Sequence, residues 1–268
     1  MKPLHQSQED SNAAEQQQSC DERPPRKGGW KGGKGIYLLP NLFTTAALFS
    51  GFYAIVAAMN GSFEKAAIAI FIAMILDGLD GRVARMTNTQ SDFGAEYDSL
   101  SDMVSFGMAP ALVAFCWALQ DLGKIGWVAA FVYAACAALR LARFNTQLAV
   151  ADKNFFTGLA SPSAAALVAG TVWMFTDSGV AGADVAWLMA VLVPVAGLLM
   201  VSNVRYNSFK GLDLKGKVPF VALLAVVLVF VVVSIDPAKV LLFFFFAYSM
   251  SGPVFEVWVK FFRKRKKA

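Results

Sequence analysis

Hydrophobic and polar positions divide the chain into a polar start followed by eight apolar segments. Residues 1–35 are rich in Gln, Gly, Lys and Arg and lack periodic apolar positions, which predicts a disordered cytoplasmic tail. The apolar segments lie near residues 38–59, 63–86, 97–119, 125–146, 160–177, 184–202, 217–235 and 238–261. Each is long enough to cross a bilayer as a helix, because about 20 helical residues span the hydrocarbon layer.

These segments predict an all-α polytopic membrane protein. In lipid, an isolated strand leaves backbone N–H and C=O groups without partners, whereas a helix pairs them within itself. The segments show no repeat period, and the connections between them are short. We therefore expect one compact bundle of membrane helices.

The composition agrees with a membrane location. Apolar residues make up 57% of the 268 positions and charged residues 16%, with a mean hydropathy of +0.52. A soluble domain carries about 25% charged residues, because it needs them to cover its surface. The balance excludes a small soluble enzyme, a disordered protein and a nucleic-acid-binding module.

The basic residues predict the orientation of the helices. If all eight segments cross the membrane, 21 of the 24 Lys and Arg residues fall on the same side. Because basic loops stay in the cytoplasm, we expect a protein of the cell inner membrane with both termini cytoplasmic. The basic run from Arg263 to Lys267 is expected to contact anionic membrane lipid.

Six of the fourteen carboxylates that follow the tail are concentrated in residues 77–102. Asp77 and Asp80 are three residues apart and share one face of a helix. Asp98 and Asp102, four residues apart, do the same. A carboxylate inside a membrane costs about 2.5–3.5 kcal/mol on insertion scales, so this block requires a compensating cation. Hard oxygen ligands suit magnesium, manganese or calcium, and the two faces predict such a metal site.

Other residues around these carboxylates are suited to phosphate. Gly81 and Gly94 have no side chain and allow a backbone or a phosphate to approach closely. Arg85 offers the forked donor that matches a phosphate group. Two metal ions at such a site could clamp the attacking and leaving oxygens of a transfer reaction. The single histidine, His5, lies in the tail, so proton transfer at this site requires a carboxylate or another group.

The order of these residues resembles the signature of the CDP-alcohol phosphatidyltransferases. Every position of that signature is present: Asp77-x-x-Asp80-Gly81-x-x-Ala84-Arg85, eight residues, Gly94, three residues, Asp98, three residues, Asp102. The resemblance implies a core of six helices over residues 36–217. Two additional transmembrane helices would follow over 218–262, and a basic cytoplasmic tail over 263–268. It also implies a homodimer and a metal site that opens to the cytoplasmic face.

The resemblance further implies roles for single residues. Asp77, Asp80 and Asp98 would bind metal. Asp102 would bind metal and accept the proton of the incoming alcohol. The residues that would hold the CDP-linked substrate are Asn41, Thr44, Asp77, Asp80, Gly81, Arg85, Ser91 and Gly94. The first two belong to a first-helix element at 40–44 that resembles the family element closing over the diphosphate.

Four further stretches resemble the membrane-integral phosphatidylserine synthases of bacteria, a branch of the same family. They are SDMVSFGMAP (101–110), LRLARFN (139–145), FTGLASPSAA (156–165) and VSNVRYNSFKG (201–211). This resemblance implies transfer of a phosphatidyl group from CDP-diacylglycerol to L-serine, with release of CMP, in phospholipid biosynthesis. The implied cofactor is magnesium or manganese, with room for two ions and with calcium as a substitute. The last two apolar segments lie beyond the six-helix core, and we expect lipid-facing packing there rather than a site.

The carboxylate of serine would need a cation at the cytoplasmic face. Arg140 and Arg143 are three residues apart at the end of the fourth segment, and Arg205 follows the sixth. These three arginines are the candidate serine-binding residues. Ordinary anchoring of helix ends by positive charge explains the same arginines equally well.

Two alternatives stay open from the sequence. A related enzyme that uses another alcohol, such as glycerol phosphate or inositol phosphate, would keep the aspartate signature and differ in the alcohol pocket. A cation transporter would use the aspartates as an ion path. Transporters usually bind their ions at the midplane on broken helices, whereas these carboxylates form one block beside a basic turn.

Overall fold

The computed structural model of the protein describes residues 38–87, 91–147, 155–207 and 220–265. The predicted tail at 1–35 lies outside the described residues, and so do residues 266–268 of the predicted basic tail. The described helices are α1 (Leu38–Met59), α2 (Phe63–Thr87), α3 (Asp92–Leu122), α4 (Lys124–Gln147), α5 (Ser161–Asp177), α6 (Ala186–Val201), α7 (Phe220–Ile235) and α8 (Pro237–Arg265). Each overlaps one of the eight apolar segments, and the all-α fold class is confirmed.

Within the described residues, five stretches of helix are long and apolar enough to cross a membrane. They lie in α1, in α3, in α4, in Gly182–Val201, which includes α6, and in α8. Helix α2 carries six charged residues, and α5 and α7 have 17 and 16 residues, somewhat fewer than the roughly 20 of a full span. The chain is therefore a multi-pass membrane protein, with the remaining three helices less clearly hydrophobic or shorter than a full crossing.

Helix α3 begins earlier than its apolar pattern predicts. The side-chain oxygen of Ser91 accepts a hydrogen bond of 3.0 Å from the backbone N–H of Gly94, which caps the helix and starts it at Asp92. The first turns of α3 are polar, and hydrophobicity alone therefore places the start too late. A wide π-helical turn, Met103–Met108, follows directly after Asp102. Such turns occur frequently at functional sites.

Two short strands were not predicted. They are β1 (Phe155–Thr157) and β2 (Arg205–Asn207), which pair antiparallel with Phe156 opposite Tyr206. Each has three residues and lies between apolar segments, so hydrophobic periodicity gives no signal for it. The pairing joins the residues before α5 to those after α6 and brings the stretch at 156–165 together with residues 201–207 of the stretch at 201–211.

Helix α5 lies at the centre of the bundle. Its residues from Ala164 to Val172 are all buried, and most of them are small. Small residues allow neighbouring helices to approach closely in a membrane. At Gly170, a Cβ atom would lie 3.4 Å from the backbone of Leu242 in α8. The central helix thus holds α8 against the core.

Candidate active site

Helices α2 and α3 bring four aspartates together at one end of the bundle. Carboxylate oxygens of Asp77, Asp98 and Asp102 all lie within 4.8 Å of one another, so these three could hold a metal ion. Asp80 lies beside them. It accepts a hydrogen bond of 2.9 Å from the Thr44 hydroxyl and also interacts with Asp98. The two helix faces therefore meet, as the spacing of the aspartates indicates.

Helix α1 fixes the position of α3 and hence of its two carboxylates. Ser101 and Ser105 of α3 each donate a 3.1 Å hydrogen bond to a backbone carbonyl of α1, at Thr44 and Ala47. At Gly51 the helices are so close that a Cβ atom would lie 2.7 Å from the Ser105 Cα. Only glycine fits at that contact, because a backbone atom cannot move aside as a side chain can.

The aspartate cluster fits a divalent cation. None of the four aspartates has a described Lys or Arg nitrogen within 4 Å. An ion pair at such a distance is formed between Asp236 and Lys239, far along the chain. The Oδ1 atom of Asp98 is buried without a hydrogen-bond partner among the described residues. Unpaired buried carboxylates are costly, and a hard cation such as magnesium or manganese would satisfy them. The acidic cluster can therefore bind a metal ion.

The space beside the cluster is open at Gly81, the first glycine of the signature. A Cβ atom on Gly81 would meet no described heavy atom within 4 Å. Arg85 follows one turn later, and its Nε donates a 2.8 Å hydrogen bond to the Gly81 carbonyl. No described residue accepts a hydrogen bond from its Nη groups, which leaves them available to an anion. Open space next to a forked cation is the arrangement that phosphate binding needs.

Three more residues of the predicted substrate site meet at the start of α3. A Cβ atom on Gly94 would lie 3.1 Å from the Ser91 hydroxyl and 3.6 Å from the Asn41 side-chain oxygen. Asn41, Ser91 and Gly94 are therefore neighbours. The structure gives Ser91 a role as helix cap, and the contacts of all three with substrate stay predictions.

The two arginines of α4 have different surroundings. Arg140 is largely buried, interacts electrostatically with Asp102, and donates a 2.6 Å hydrogen bond from Nη1 to the Ser161 hydroxyl. Its Nε is buried without a partner among the described residues. Arg143 instead donates to the Asn203 side chain at 2.9 Å. Of these two, the structure brings Arg140 towards the carboxylate cluster.

Arg143 also donates to the Val201 carbonyl, at 3.4 Å, and so it holds the end of α6. Arg205 belongs to β2, and its side chain lies outside the described part of the chain. Its predicted contact with serine stays untested.

Sequence patterns missed three polar residues near this site. Ser161 and Asn145 lie in the stretches that resemble phosphatidylserine synthases, but the sequence alone predicts no role for them. Ser161 accepts a hydrogen bond from Arg140, and Asn145 donates a 3.1 Å hydrogen bond to Ser99 in α3. Tyr248 of α8 interacts electrostatically with Arg140, although α8 was expected to contribute only packing. The available signal was the polar sequence YSMSG within an apolar helix, since polar groups inside a membrane often mark function.

Comparison with known proteins agrees with this geometry. A profile of the CDP-alcohol phosphatidyltransferase family matches residues 37–204. The chain belongs to this family. The identification made from the aspartate signature is therefore confirmed, and membership in a phosphatidyltransferase family favours a transferase over a cation transporter. Helices α7 and α8 lie beyond the residues that the family profile matches.

Several curated relatives within this comparison carry the name CDP-diacylglycerol–serine O-phosphatidyltransferase. A protein of Helicobacter pylori (strain ATCC 700392 / 26695) is 39% identical over 196 residues, which cover 73% of this chain and 83% of the relative. One from Helicobacter pylori (strain J99 / ATCC 700824) is 36% identical over 87% of this chain and 98% of the relative. One from Bacillus subtilis (strain 168) is 33% identical over 64% of this chain and 91% of the relative.

Proposed function

We propose that this protein transfers a phosphatidyl group from CDP-diacylglycerol to L-serine and releases CMP, as a step of phospholipid biosynthesis. The observation that carries the proposal is the convergence of three carboxylates, Asp77, Asp98 and Asp102, beside open space and a cation suited to phosphate. The names of the relatives supply the acceptor, serine.

The donor side of the site is formed by α1, α2 and the start of α3. Asp77, Asp98 and Asp102 would hold the divalent ion, with Asp80 next to them. When held by these aspartates, magnesium or manganese would supply charge neutralisation for the diphosphate and for the departing CMP. Arg85 binds the diphosphate through its Nη donors, and the missing side chain of Gly81 leaves room for it.

The acceptor side combines Asp102 with Arg140. The serine hydroxyl oxygen forms a bond to the phosphorus that carries diacylglycerol, and the bond from this phosphorus to the CMP oxygen breaks. The hydroxyl proton passes to Asp102. Arg140 binds the serine carboxylate, because it lies near Asp102 and retains a buried donor without a partner. Arg143 is engaged by Asn203 and is the weaker candidate.

Direct attack by serine is favoured over a covalent enzyme intermediate. A covalent route needs an activated nucleophile with a base beside it. The three serine hydroxyls of α3 closest in sequence to Asp102, Ser99, Ser101 and Ser105, donate to backbone carbonyls at Ala95, Thr44 and Ala47. No described histidine is present, and the described cysteines, Cys116 and Cys136, lie outside the aspartate cluster.

The proposal includes a place in the cell. The bias of 21 of 24 basic residues to one side supports an inner-membrane protein with both termini and the site at the cytoplasmic face. There serine arrives from water, and the diacylglycerol chains enter from the bilayer. A homodimer, which the family resemblance implies, belongs to the same proposal.

A panel of acceptors tests the proposal. The purified full chain is mixed with CDP-diacylglycerol, magnesium or manganese, and either L-serine, glycerol phosphate or inositol phosphate, and CMP and the lipid product are followed. Of the three acceptors, we expect only L-serine to give CMP release, together with formation of phosphatidylserine. Faster CMP release with either of the other alcohols would assign the chain to a different branch of the family.

A further inference from the structure

Helix α8 carries a polar stretch inside an otherwise apolar sequence. Its residues Tyr248, Ser249 and Ser251 interrupt a helix that is rich in Phe and Val. Ser249 is fully buried, and its hydroxyl has no hydrogen-bond partner among the described residues. Polar groups in a membrane helix are costly and usually face the protein interior. This stretch lies beyond the family-matched residues 37–204 and has no assigned role.

The polar stretch is firmly docked against β2. Tyr206 is 1% exposed, and its hydroxyl donates a 3.0 Å hydrogen bond to the Ser249 carbonyl. Its ring packs on the ring of Tyr248, with centroids 5.6 Å apart. At Gly252 a Cβ atom would lie 2.6 Å from the Tyr206 ring. These contacts fix Tyr248 in one place relative to the end of α6.

Tyr248 lies on the Arg140 side of the site. It is partly exposed, and it interacts electrostatically with the Arg140 guanidinium, which in turn interacts with Asp102. The Arg140 guanidinium thus interacts electrostatically with two groups, the carboxylate of Asp102 on α3 and the phenol of Tyr248 on α8. Its buried Nε lacks a partner among the described residues. A buried donor on a charged group is costly when it is left unpaired, and an anionic ligand would satisfy it.

The fold assigns α8 a part in acceptor recognition. Building on the proposed function, we propose that Tyr248 is a serine-binding residue, whose hydroxyl binds the serine carboxylate together with the Arg140 guanidinium. A guanidinium and a phenol are both hydrogen-bond donors, and a carboxylate is an acceptor at both oxygens. With its carboxylate held there, serine would present its hydroxyl towards Asp102. The helix beyond the matched core then selects which alcohol is used.

The test removes one hydroxyl and keeps the ring. Tyr248→Phe retains the packing on Tyr206, so the position of α8 is preserved. We expect the KM for L-serine to rise about tenfold to hundredfold, because a hydrogen bond to a charged group is lost, while kcat and the KM for CDP-diacylglycerol stay within twofold. Tyr53→Phe, at an exposed position of α1, is the matched control and should leave all three values unchanged.

A second measurement does not depend on the amount of folded protein. L-serinamide has the hydroxyl of serine but no carboxylate, so the ratio of kcat/KM for serine to that for serinamide reports carboxylate recognition within one preparation. The ratio should fall in both Tyr248→Phe and Arg140→Lys. An unchanged ratio in Tyr248→Phe, or an unchanged KM for serine, would overturn the role of Tyr248. Absence of serine-dependent CMP release by the unmodified protein would instead overturn the proposed function.

Discussion

The donor side and the acceptor side of the site are built in opposite ways. The donor carboxylates come from residues 77–102, on two helices that follow one another in the chain, whereas the acceptor side combines α3, α4, α5 and α8. The donor carboxylates have no described Lys or Arg nitrogen within 4 Å, and the Arg140 guanidinium on the acceptor side has no described carboxylate oxygen within 4 Å and a buried Nε without a described hydrogen-bond partner. Each side therefore lacks a close countercharge that its proposed ligand would bring, a metal ion in one case and a carboxylate in the other.

The comparison predicts that damage to the two sides gives different kinetic signatures. Donor-side changes should reduce turnover and metal dependence, and acceptor-side changes should affect the serine concentration that the enzyme needs. The largest effect is expected at the residue that belongs to both sides.

Asp102→Asn should reduce kcat by about 10²–10⁴-fold, the range that general-base catalysis supplies. The amide cannot take the serine proton, whereas the other three aspartates can still hold metal, so the KM for CDP-diacylglycerol should change far less. Steady-state kinetics in both substrates measure this. If binding of CDP-diacylglycerol is lost as completely as turnover, Asp102 is a metal ligand first and the base lies elsewhere.

Asp98→Asn should reduce turnover at least about 100-fold, because removal of even an outer-shell partner of a metal costs about 10–100-fold. A neutral amide is a poorer ligand than a carboxylate for a hard cation. Higher magnesium or manganese should restore part of the activity. Asp121→Asn, at an exposed position at the other end of α3, is the control and should have no effect. Half the normal rate in Asp98→Asn would remove this residue from the metal site.

Substitutions of the two arginines of α4, Arg140 and Arg143, should have different effects. Arg140→Gln removes a charge-assisted contact worth about 1.5–3 kcal/mol, and this corresponds to about a tenfold to hundredfold higher KM for serine. Arg143→Gln removes bonds to Val201 and Asn203 and should mainly lower the melting temperature. Kinetics together with thermal unfolding distinguish the two. The opposite pattern, with serine dependence affected only in Arg143→Gln, would move the serine site.

Two glycines of α2 provide the finest test of the donor side. A Cβ atom at Gly78 or at Gly81 would meet no described heavy atom within 4 Å. Alanine in a helix is favoured over glycine by about 0.5–1 kcal/mol, so neither substitution should lower stability. Only Gly81→Ala should raise the KM for CDP-diacylglycerol, because Gly81, unlike Gly78, belongs to the predicted diphosphate site and accepts the Arg85 hydrogen bond. Equal activity of the two variants would mean that the substrate does not approach at Gly81.

The contrast also explains what the sequence can reveal. Eight helices follow from apolar length, and the aspartate cluster follows from helical spacing, because both signals are local. The start of α3 at Asp92 depends on the Ser91 cap, and the two strands depend on pairing between distant segments. Such contacts leave little trace in hydrophobic periodicity.

The arginines and the last helix show the same limit. Arg140 and Arg143 are equivalent in the sequence, and only their partners, Ser161 and Asn203, distinguish them. Tyr248 reaches the site because Tyr206 fixes α8 against β2. The proposed acceptor side therefore depends on tertiary contacts that residue spacing does not encode.

The most direct test of the central claim is CMP release from CDP-diacylglycerol by the purified full chain under four conditions. Serine is present or absent, and magnesium or manganese is supplied or removed with excess chelator. The account predicts CMP release, with matching phosphatidylserine formation, only when serine and the metal ion are both present. Equal CMP release without serine, or turnover that persists in chelator, would contradict a metal-dependent transfer to serine at the aspartate cluster.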